Sequence, residues 1–377
     1  MPSWFKRCET GSKDSVTLTP SDYMARALFH AARGRGRTSP NPLVGAVVVS
    51  ADGVVVGQGF HERAGDPHAE VRALDAAGTR ARGGTLYCTL EPCAHIGRTG
   101  PCVVRIVDAG ISRVVAAVED PNPIVRGQGF SFLRQRGVRV EVGLGETTAT
   151  TLNQPFFTLI RERRPFVVLK AATSRDGCIA EAPGRRTRLT SDAADRHAQR
   201  VRAEVDAIGV GVGTVLADDP LLTARGAYRA RPLTRVVFDR SLRTPPDARL
   251  LSTHDAGPVI IVTTAGGASH ADVRSRLEAR GATIVVAPDA TLRAALGCLG
   301  ERTICSLLLE GGAAIHLAAW DEGVADFVRL YVTPHTLGPA GLRFLSGRPF
   351  SSAGLFEARV EPLGPDVLIE GYVHGPR

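Results

Sequence analysis

The chain has 377 residues, 44% apolar and 22% charged, with 41 Gly and 24 Pro, the composition of an ordinary globular protein long enough for about two domains of roughly 100–200 residues. Its longest apolar runs, such as Val44–Val49, fall far short of the ~20 residues a membrane-crossing helix needs, and the first 16 residues lack the apolar segment of a secretory signal. The net charge of +8, 46 basic against 38 acidic residues, would suit nucleic acid or phosphorylated small molecules alike, but the arginines are scattered without a basic block, which favours small phosphates.

In chain order, Thr19-Pro20-Ser21-Asp22 reads as a helix cap with Pro at the first helical position, followed by Met24, Ala27, Leu28 and Ala31 at helical spacing. The runs Leu43–Val49 and Val54–Val56 flank Asp52-Gly53, a hairpin signal. Next come a helix near His68–Ala77, a strand Thr85–Leu90, a helix Cys102–Ala109, a strand Arg113–Val118, a helix around Gly129–Arg136 and a strand Val138–Val142. The order β-β-α-β-α-β-α-β predicts one sheet with helices on its faces. Gly143 to Arg164 reads as a crossing between domains. Beyond it, the apolar runs Phe166–Leu169, Ala207–Val210, Arg235–Phe238, Val259–Val262, Thr283–Val286, Ser306–Leu309 and Val328–Val332 predict a mainly parallel sheet buried on both faces.

The sharpest chemical signal is His68-Ala69-Glu70 followed by Pro92-Cys93 and Pro101-Cys102. One imidazole and two thiolates suit Zn²⁺ and leave its fourth position open, the mark of a catalytic site. Each ligand is expected at or just before a helix N-terminus, which favours thiolate over thiol. Glu70 is placed to carry a proton, the role of the non-ligand Glu in zinc base deaminases. The competing reading makes Cys93 and Cys102 core thiols, like Cys88 inside its strand. The general deaminase pattern is Pro-Cys-x-x-Cys, whereas eight residues separate Cys93 from Cys102, and the insertion carries His95 and Arg98. A guanidinium there would grip a phosphate. Seven Cys and no export signal fit a reduced, cytoplasmic protein better than a disulfide framework.

In the second half, Lys170 is the only Lys beyond residue 13 and ends an apolar strand; it has a specific partner or it snorkels. The glycine stretches Gly209–Thr214 and Glu310–Ala314 would each admit a phosphate at a helix N-terminus, although neither spells the full dinucleotide fingerprint.

The stretches Asp22–Leu28, Pro40–Gly45, Gly57–His61, Ala64–Glu70, Thr89–Cys93 and Asp120–Pro123 strongly resemble the bifunctional riboflavin-biosynthesis deaminase/reductase family, whose own form has the long cysteine spacing. Thr190-Ser191, Arg202–Ile208, Thr214–Arg225 and Leu309–Gly312 are similar to its reductase half. The resemblance covers residues 20–377. It implies a cytidine-deaminase-like α/β/α domain at 19–145 after a flexible tail at 1–18, a linker at 146–164, and a dihydrofolate-reductase-like α/β domain at 165–377. It implies zinc held by His68, Cys93 and Cys102, with Glu70 as proton shuttle and Asn41, His61, His95, Arg98, Asp120 and Asn122 lining the pyrimidine and ribose-phosphate pocket. In the reductase half it implies NADPH contacts from Ala172, Thr214, Asp218 and the Gly312–Leu317 segment, including Ala313 and Ala314. Arg202, Leu222, Arg225 and Glu310 would face the substrate, and Lys170 and Asp218 would form a catalytic charged pair. Arg186 and Arg188 replace the family's usual Ser and Trp, and Ser174-Arg175-Asp176-Gly177 its usual Ser-Leu-Asp-Gly turn. Stacking or binding of the cofactor 2′-phosphate by guanidinium is the expected role for Arg188; an inactive reductase half is the alternative. The expected partners are a phosphorylated pyrimidine and further copies of the chain, as a dimer or tetramer, with no nucleic acid and no membrane. The rival readings are a nucleic-acid base deaminase, which would carry the short cysteine spacing, and a binding module with structural zinc and an idle Glu70.

Overall fold

The computed structural model describes residues 18–94, 100–346, 348 and 350–375. The first helix, α1 (Pro20–Ala32), starts at a reciprocal capping box in which the Thr19 hydroxyl accepts from the Asp22 N–H and the Asp22 carboxylate accepts from the Thr19 N–H. The chain continues through β1 (Gly45–Val49), β2 (Val55–Phe60), α2 (Ala69–Ala77), β3 (Thr85–Cys88), α3 (Cys102–Asp108), β4 (Arg113–Ala116), α4 (Gln128–Gln135) and β5 (Arg139–Val142). These strands form one sheet in the order β2-β1-β3-β4-β5. The pairs β2–β1 and β1–β3 are antiparallel, and β3–β4 and β4–β5 parallel.

Strand alternation sorts the core into two layers. Ala46, Val48, Leu86, Cys88, Val114 and Ala116 face the helices α2, α3 and α4. Val47, Val49, Tyr87 and Val115 face α1 and the long helix α5 (Glu146–Glu162), which contributes Ala149 and Phe157. Helix α2 lies unusually close to β2: a Cβ at Gly57 would fall 2.1 Å from the Ala73 carbonyl oxygen, so only glycine allows this approach. That contact sets the height of α2 and of His68, its N-cap residue, over the sheet.

The second sheet is built from β6 (Phe166–Thr173), β8 (Ala207–Gly211), β9 (Thr234–Phe238), β10 (Val259–Thr263), β11 (Ala282–Val286), β12 (Ser306–Gly311), β13 (Phe327–Val332), β15 (Phe356–Leu363) and β16 (Asp366–Tyr372), in the order β11-β10-β9-β8-β12-β6-β13-β16-β15. From β11 to β13 all neighbours are parallel; β16 and β15 close the edge antiparallel. A short antiparallel pair, β7 (Cys178–Ala180) and β14 (Leu342–Arg343), stands apart. The covering helices are α6 (Asp192–Glu204), α7 (Val212–Asp218), α8 (Ala265–Ala268), α9 (Ala271–Ala279), α10 (Leu292–Gly300) and α11 (Ala313–Asp321). One face packs Val167, Leu169, Val236, Ile260, Leu307 and Leu309 under α10 and α11, and the other packs Ile208, Val237, Ile261 and Leu308 against α6, α7 and α9.

The expected strands and helices are all present, with ends shifted by a few residues. Three elements differ from the sequence reading. The segment read as a crossing is mostly the helix α5, whose Thr-rich turns and internal Pro155 hide its periodicity. The strands β15 and β16 escaped notice because β15 is exposed along nearly its whole length and carries no apolar run. The pair β7–β14 is too short to leave a pattern. Of the expected tail at 1–18, residues 1–17 lie outside the described residues.

Candidate functional site

In the first sheet, His68 Nδ1 lies 3.2 Å from Cys102 Sγ and 3.5 Å from Cys93 Sγ. The three ligand atoms fall within 4.8 Å of one another, a donor set and spacing that fit one divalent zinc with a free fourth position. His68 caps α2 and Cys102 opens α3, as expected. Cys93 does not lie at a helix start. It follows β3 in a segment without regular secondary structure, and its thiol is held down to about 4 by hydrogen bonds from the Cys102 thiol and His68 and from the Cys102 backbone N–H at 3.4 Å. The His68 ring is raised to about 9, chiefly by its bond to Cys93.

Glu70 sits in the first turn of α2, 3% exposed, and its Oε2 has no hydrogen-bond partner among the described residues. Burial raises its pKa, opposed by the His68 charge. An orphaned carboxylate oxygen beside an incomplete ligand set is a second sign that the site is built around a guest. His61 is buried edge-on against His68, ring centres 5.5 Å apart. Its Nδ1 lies 3.4 Å from the Pro67 carbonyl oxygen, and Asn41 Nδ2 lies 3.0 Å from its Nε2. Burial lowers its pKa, so the neutral ring donates from Nδ1 to Pro67 and accepts from Asn41.

Asp120 and Asn122 shape the turn after β4: the Asp120 carboxylate accepts the Asn122 N–H, and the Asn122 side-chain oxygen accepts the Ile124 N–H. This turn is tied to the Cys93 segment by Glu91, a residue to which sequence alone assigns no role. Its buried carboxylate accepts backbone N–H groups from Asp120, Gly127, Gly129 and Phe130. An acid immediately before Pro92-Cys93 was the available signal. His95 and Arg98 lie outside the described residues.

The second sheet holds a cavity of about 890 Å³ at the C-terminal ends of its parallel strands, where open α/β sheets bind ligands. Lys170, Ala172, Arg188, Arg202, Thr214, Asp218, Arg225, Glu310, Gly312, Ala313 and Ala314 all border it. Leu222 borders a smaller adjoining hollow with Arg202, Asp218 and Arg225. The two glycine stretches meet here: Gly312 has φ +90°, and a Cβ on it would come 3.3 Å from Thr214 Oγ1. The floor is thus bare backbone between the starts of α7 and α11, which suits a dinucleotide's phosphates.

The expected pairing of Lys170 with Asp218 is replaced by another. Lys170 Nζ is 3.9 Å from Glu310 Oε2, and Arg202 grips both Glu310 oxygens at 2.7 and 2.6 Å. Burial pushes Glu310 up, but Arg202 and Lys170 outweigh it and hold the carboxylate down to about 2. Burial raises the Asp218 carboxyl, opposed only by Arg186, so it is the better proton carrier of the two acids. Arg188 is largely exposed and pairs with Asp192 at 2.7 Å. Tyr331 went unnoticed in the sequence: its ring lies 5.5 Å from Lys170 Nζ and its hydroxyl 2.8 Å from His197 Nδ1. Only strand pairing, which sets Tyr331 opposite Ala172, reveals it.

A zinc site of deaminase type on one sheet and a dinucleotide-sized cavity on another define a two-domain deaminase–reductase. Residues 19–118 match the family model described as the cytidine and deoxycytidylate deaminase zinc-binding region, and residues 165–369 match the RibD C-terminal domain. The chain is 39% identical over 354 residues to the riboflavin biosynthesis protein RibD of Aquifex aeolicus, covering 92% of this chain and 97% of that one. It is 38% identical over 358 residues to the protein of the same name from Escherichia coli, with the same two coverages. Among solved structures, Acinetobacter baumannii RibD superposes with a TM-score of 0.82 at 35% identity, covering 93% of this chain and 98% of that one. A Thermotoga maritima structure described as a diaminohydroxyphosphoribosylaminopyrimidine deaminase / 5-amino-6-(5-phosphoribosylamino)uracil reductase superposes with a TM-score of 0.80 at 34% identity and the same coverages. The chain belongs to the RibD family of riboflavin biosynthesis proteins.

Proposed function

We infer that this chain carries out two successive steps of riboflavin synthesis: hydrolytic deamination of 2,5-diamino-6-ribosylamino-4(3H)-pyrimidinone 5′-phosphate, then NADPH-dependent reduction of the ribosyl group of 5-amino-6-(5-phosphoribosylamino)uracil to ribityl. The deaminase/reductase role and the cofactors Zn²⁺ and NADPH go with the family. The observation that carries the first step is the gathering of His68, Cys93 and Cys102 within 4.8 Å beside the unpartnered Glu70 Oε2.

In the deaminase half, His68, Cys93 and Cys102 would hold zinc, which when bound lowers the pKa of water and so supplies a nucleophile near neutral pH. Glu70 Oε2 takes the proton released as water attacks the ring carbon and returns it to the departing amine, so one carboxylate serves both halves of the exchange. Asn41, His61, Asp120 and Asn122 would line the pyrimidine and ribose-phosphate pocket, with the His61 ring held in place by Asn41 and the Pro67 carbonyl; His95 and Arg98 are assigned to the same pocket from the family resemblance alone.

In the reductase half, bound NADPH supplies the hydride, and the chain's work is placement. Ala172, Thr214, Asp218, Gly312, Ala313, Ala314 and Arg188 would contact the cofactor; Arg202, Leu222, Arg225 and Glu310 would face the substrate. Lys170 Nζ and the Asp218 carboxyl, both bordering the cavity, would move a proton to the opened sugar's nitrogen. The domains of this reading are a deaminase at 19–145, a linker at 146–164 and a reductase at 165–377, in a cytoplasmic homo-oligomer that does not bind nucleic acid. No helix among the described residues is long and apolar enough to cross a membrane. The deciding experiment supplies purified protein with the diaminopyrimidine phosphate: ammonia release followed by NADPH consumption is expected, and neither signal appearing would end the reading.

A further inference from the structure

The loop between α1 and β1 delivers Asn41 to His61, and its backbone is gripped from the other sheet. Arg231, just before β9, donates from Nη1 to the Ser39 carbonyl at 2.8 Å and from Nε to the Gly36 carbonyl at 3.4 Å. Its Nη2 pairs with Oδ1 of Asp206, in the turn between α6 and β8. The other oxygen of that carboxylate accepts the Ser39 hydroxyl at 2.8 Å and the backbone N–H groups of Cys305 and Ser306 at 2.9 and 3.1 Å. Cys305 Sγ lies 3.6 Å from the Pro40 carbonyl oxygen. Asp206 is 8% exposed, so charge-assisted bonds form here with little competition from water.

The contacts among these that reach the loop fall on residues 36, 39 and 40, before Asn41, whose own N–H closes onto the Thr38 carbonyl at 2.9 Å. On the far side, the Leu43 backbone is held through both its N–H and its carbonyl by the Asn153 carboxamide of α5. Asn41 is therefore suspended between two anchors, one inside its own sheet's layer of helices and one rooted at the N-terminal ends of β8 and β12. Loss of the second anchor frees the loop on the side from which the Asn41 carboxamide is aimed at His61.

We propose that Asp206 and Arg231 are positioning residues for the deaminase pocket: the reductase domain fixes the Asn41 carboxamide and so sets how tightly the first site holds its substrate. This rests on Asn41 being a substrate-binding residue. The clasp acts on the bound geometry and leaves the zinc ligands and Glu70 where they are.

The test uses the full-length, zinc-loaded protein and steady-state ammonia release from the diaminopyrimidine phosphate. Arg231→Ala is expected to raise the deamination KM about tenfold, the scale of a sub-ångström displacement of a binding group, with kcat changed less than about twofold. Zinc content and reduction of supplied deaminated intermediate stay at their original levels. Arg231→Lys recovers part of the loss, and Ser39→Ala shifts KM in the same direction by less. Asn41→Ala raises KM by itself, and adding Arg231→Ala to it changes nothing further. An unchanged KM in Arg231→Ala, alongside a raised one in Asn41→Ala, overturns the clasp and leaves the role of Asn41 standing. An unchanged KM in Asn41→Ala overturns that role and the clasp with it, and additive effects of the two overturn transmission through Asn41. If Arg231→Ala does not fold, Ser39→Ala, which removes one hydroxyl, carries the same comparison.

Discussion

In the first domain three ligand atoms lie within 4.8 Å of one another, carried by two helix starts and one irregular segment, with Glu70 in the first turn of α2. In the second the reactive groups are strung along a cavity of about 890 Å³ bordered by many elements. The compact site concentrates its chemistry in four side chains, so losing any one should be nearly all-or-none. The cavity spreads recognition over backbone turns and several charges, so its losses should be graded. Activating one water and moving one proton needs few side chains, whereas holding a dinucleotide beside the substrate needs a long wall.

The strongest way to break that contrast is Glu70→Ala, for which deamination should fall by about 10³-fold while metal analysis shows zinc retained and supplied intermediate is still reduced with NADPH. Parallel loss of both half-reactions would mean the sites are not separate. Stripping zinc with a chelator should likewise abolish ammonia release and spare reduction. A smaller effect is expected for Asp218→Ala or Lys170→Ala: about a 10²-fold drop in NADPH oxidation dependent on the intermediate, with deamination unchanged. Full turnover in both variants would remove these groups from the proton path.

Acid stability probes the cavity floor. Burial lowers the His316 ring to about 4 from 6.5, and its Nδ1 lacks a partner among the described residues. Above pH 6.5 the ring is neutral whether folded or not. As pH falls from 6.5 to 4, the unfolded chain gains a proton that the folded chain refuses, costing about 3 kcal/mol before the term levels off. Glu310, held down to about 2 from 4.5, adds its own loss only as pH falls from 4.5 towards 2. Urea midpoints at pH 7, 5.5 and 4.5 should decline, and His316→Gln should flatten that slope; a flat wild-type profile would contradict a neutral buried ring. Least affected should be Arg188→Ala, which breaks an exposed pair with Asp192 worth less than about 1 kcal/mol and should raise the NADPH KM only about threefold.

What the sequence made legible follows the same division. His68, Glu70, Cys93 and Cys102 announced the metal site because residue type and the local His-Ala-Glu and Pro-Cys patterns carry the chemistry. The glycine stretches hinted at phosphates, yet their meeting across Thr214 depends on β8 lying beside β12. The partner of Lys170 was misjudged for a similar reason, since Glu310 reaches it only through the adjacent pairing of β6 and β12. The clasp of Ser39, Asp206 and Arg231 gave no signal, although Asp206 stands in the Arg202–Ile208 stretch: the bonds joining the loop to the other domain span well over a hundred residues, and each residue alone reads as loop or turn.

The ammonium in the cavity has one more property. The sequence holds Lys6, Lys13 and Lys170 and no other lysine, and Lys170 is 16% exposed. Amine-directed acylation followed by peptide mapping would therefore report occupancy of this chamber almost free of background, and a bound dinucleotide should shield that single nitrogen from the reagent.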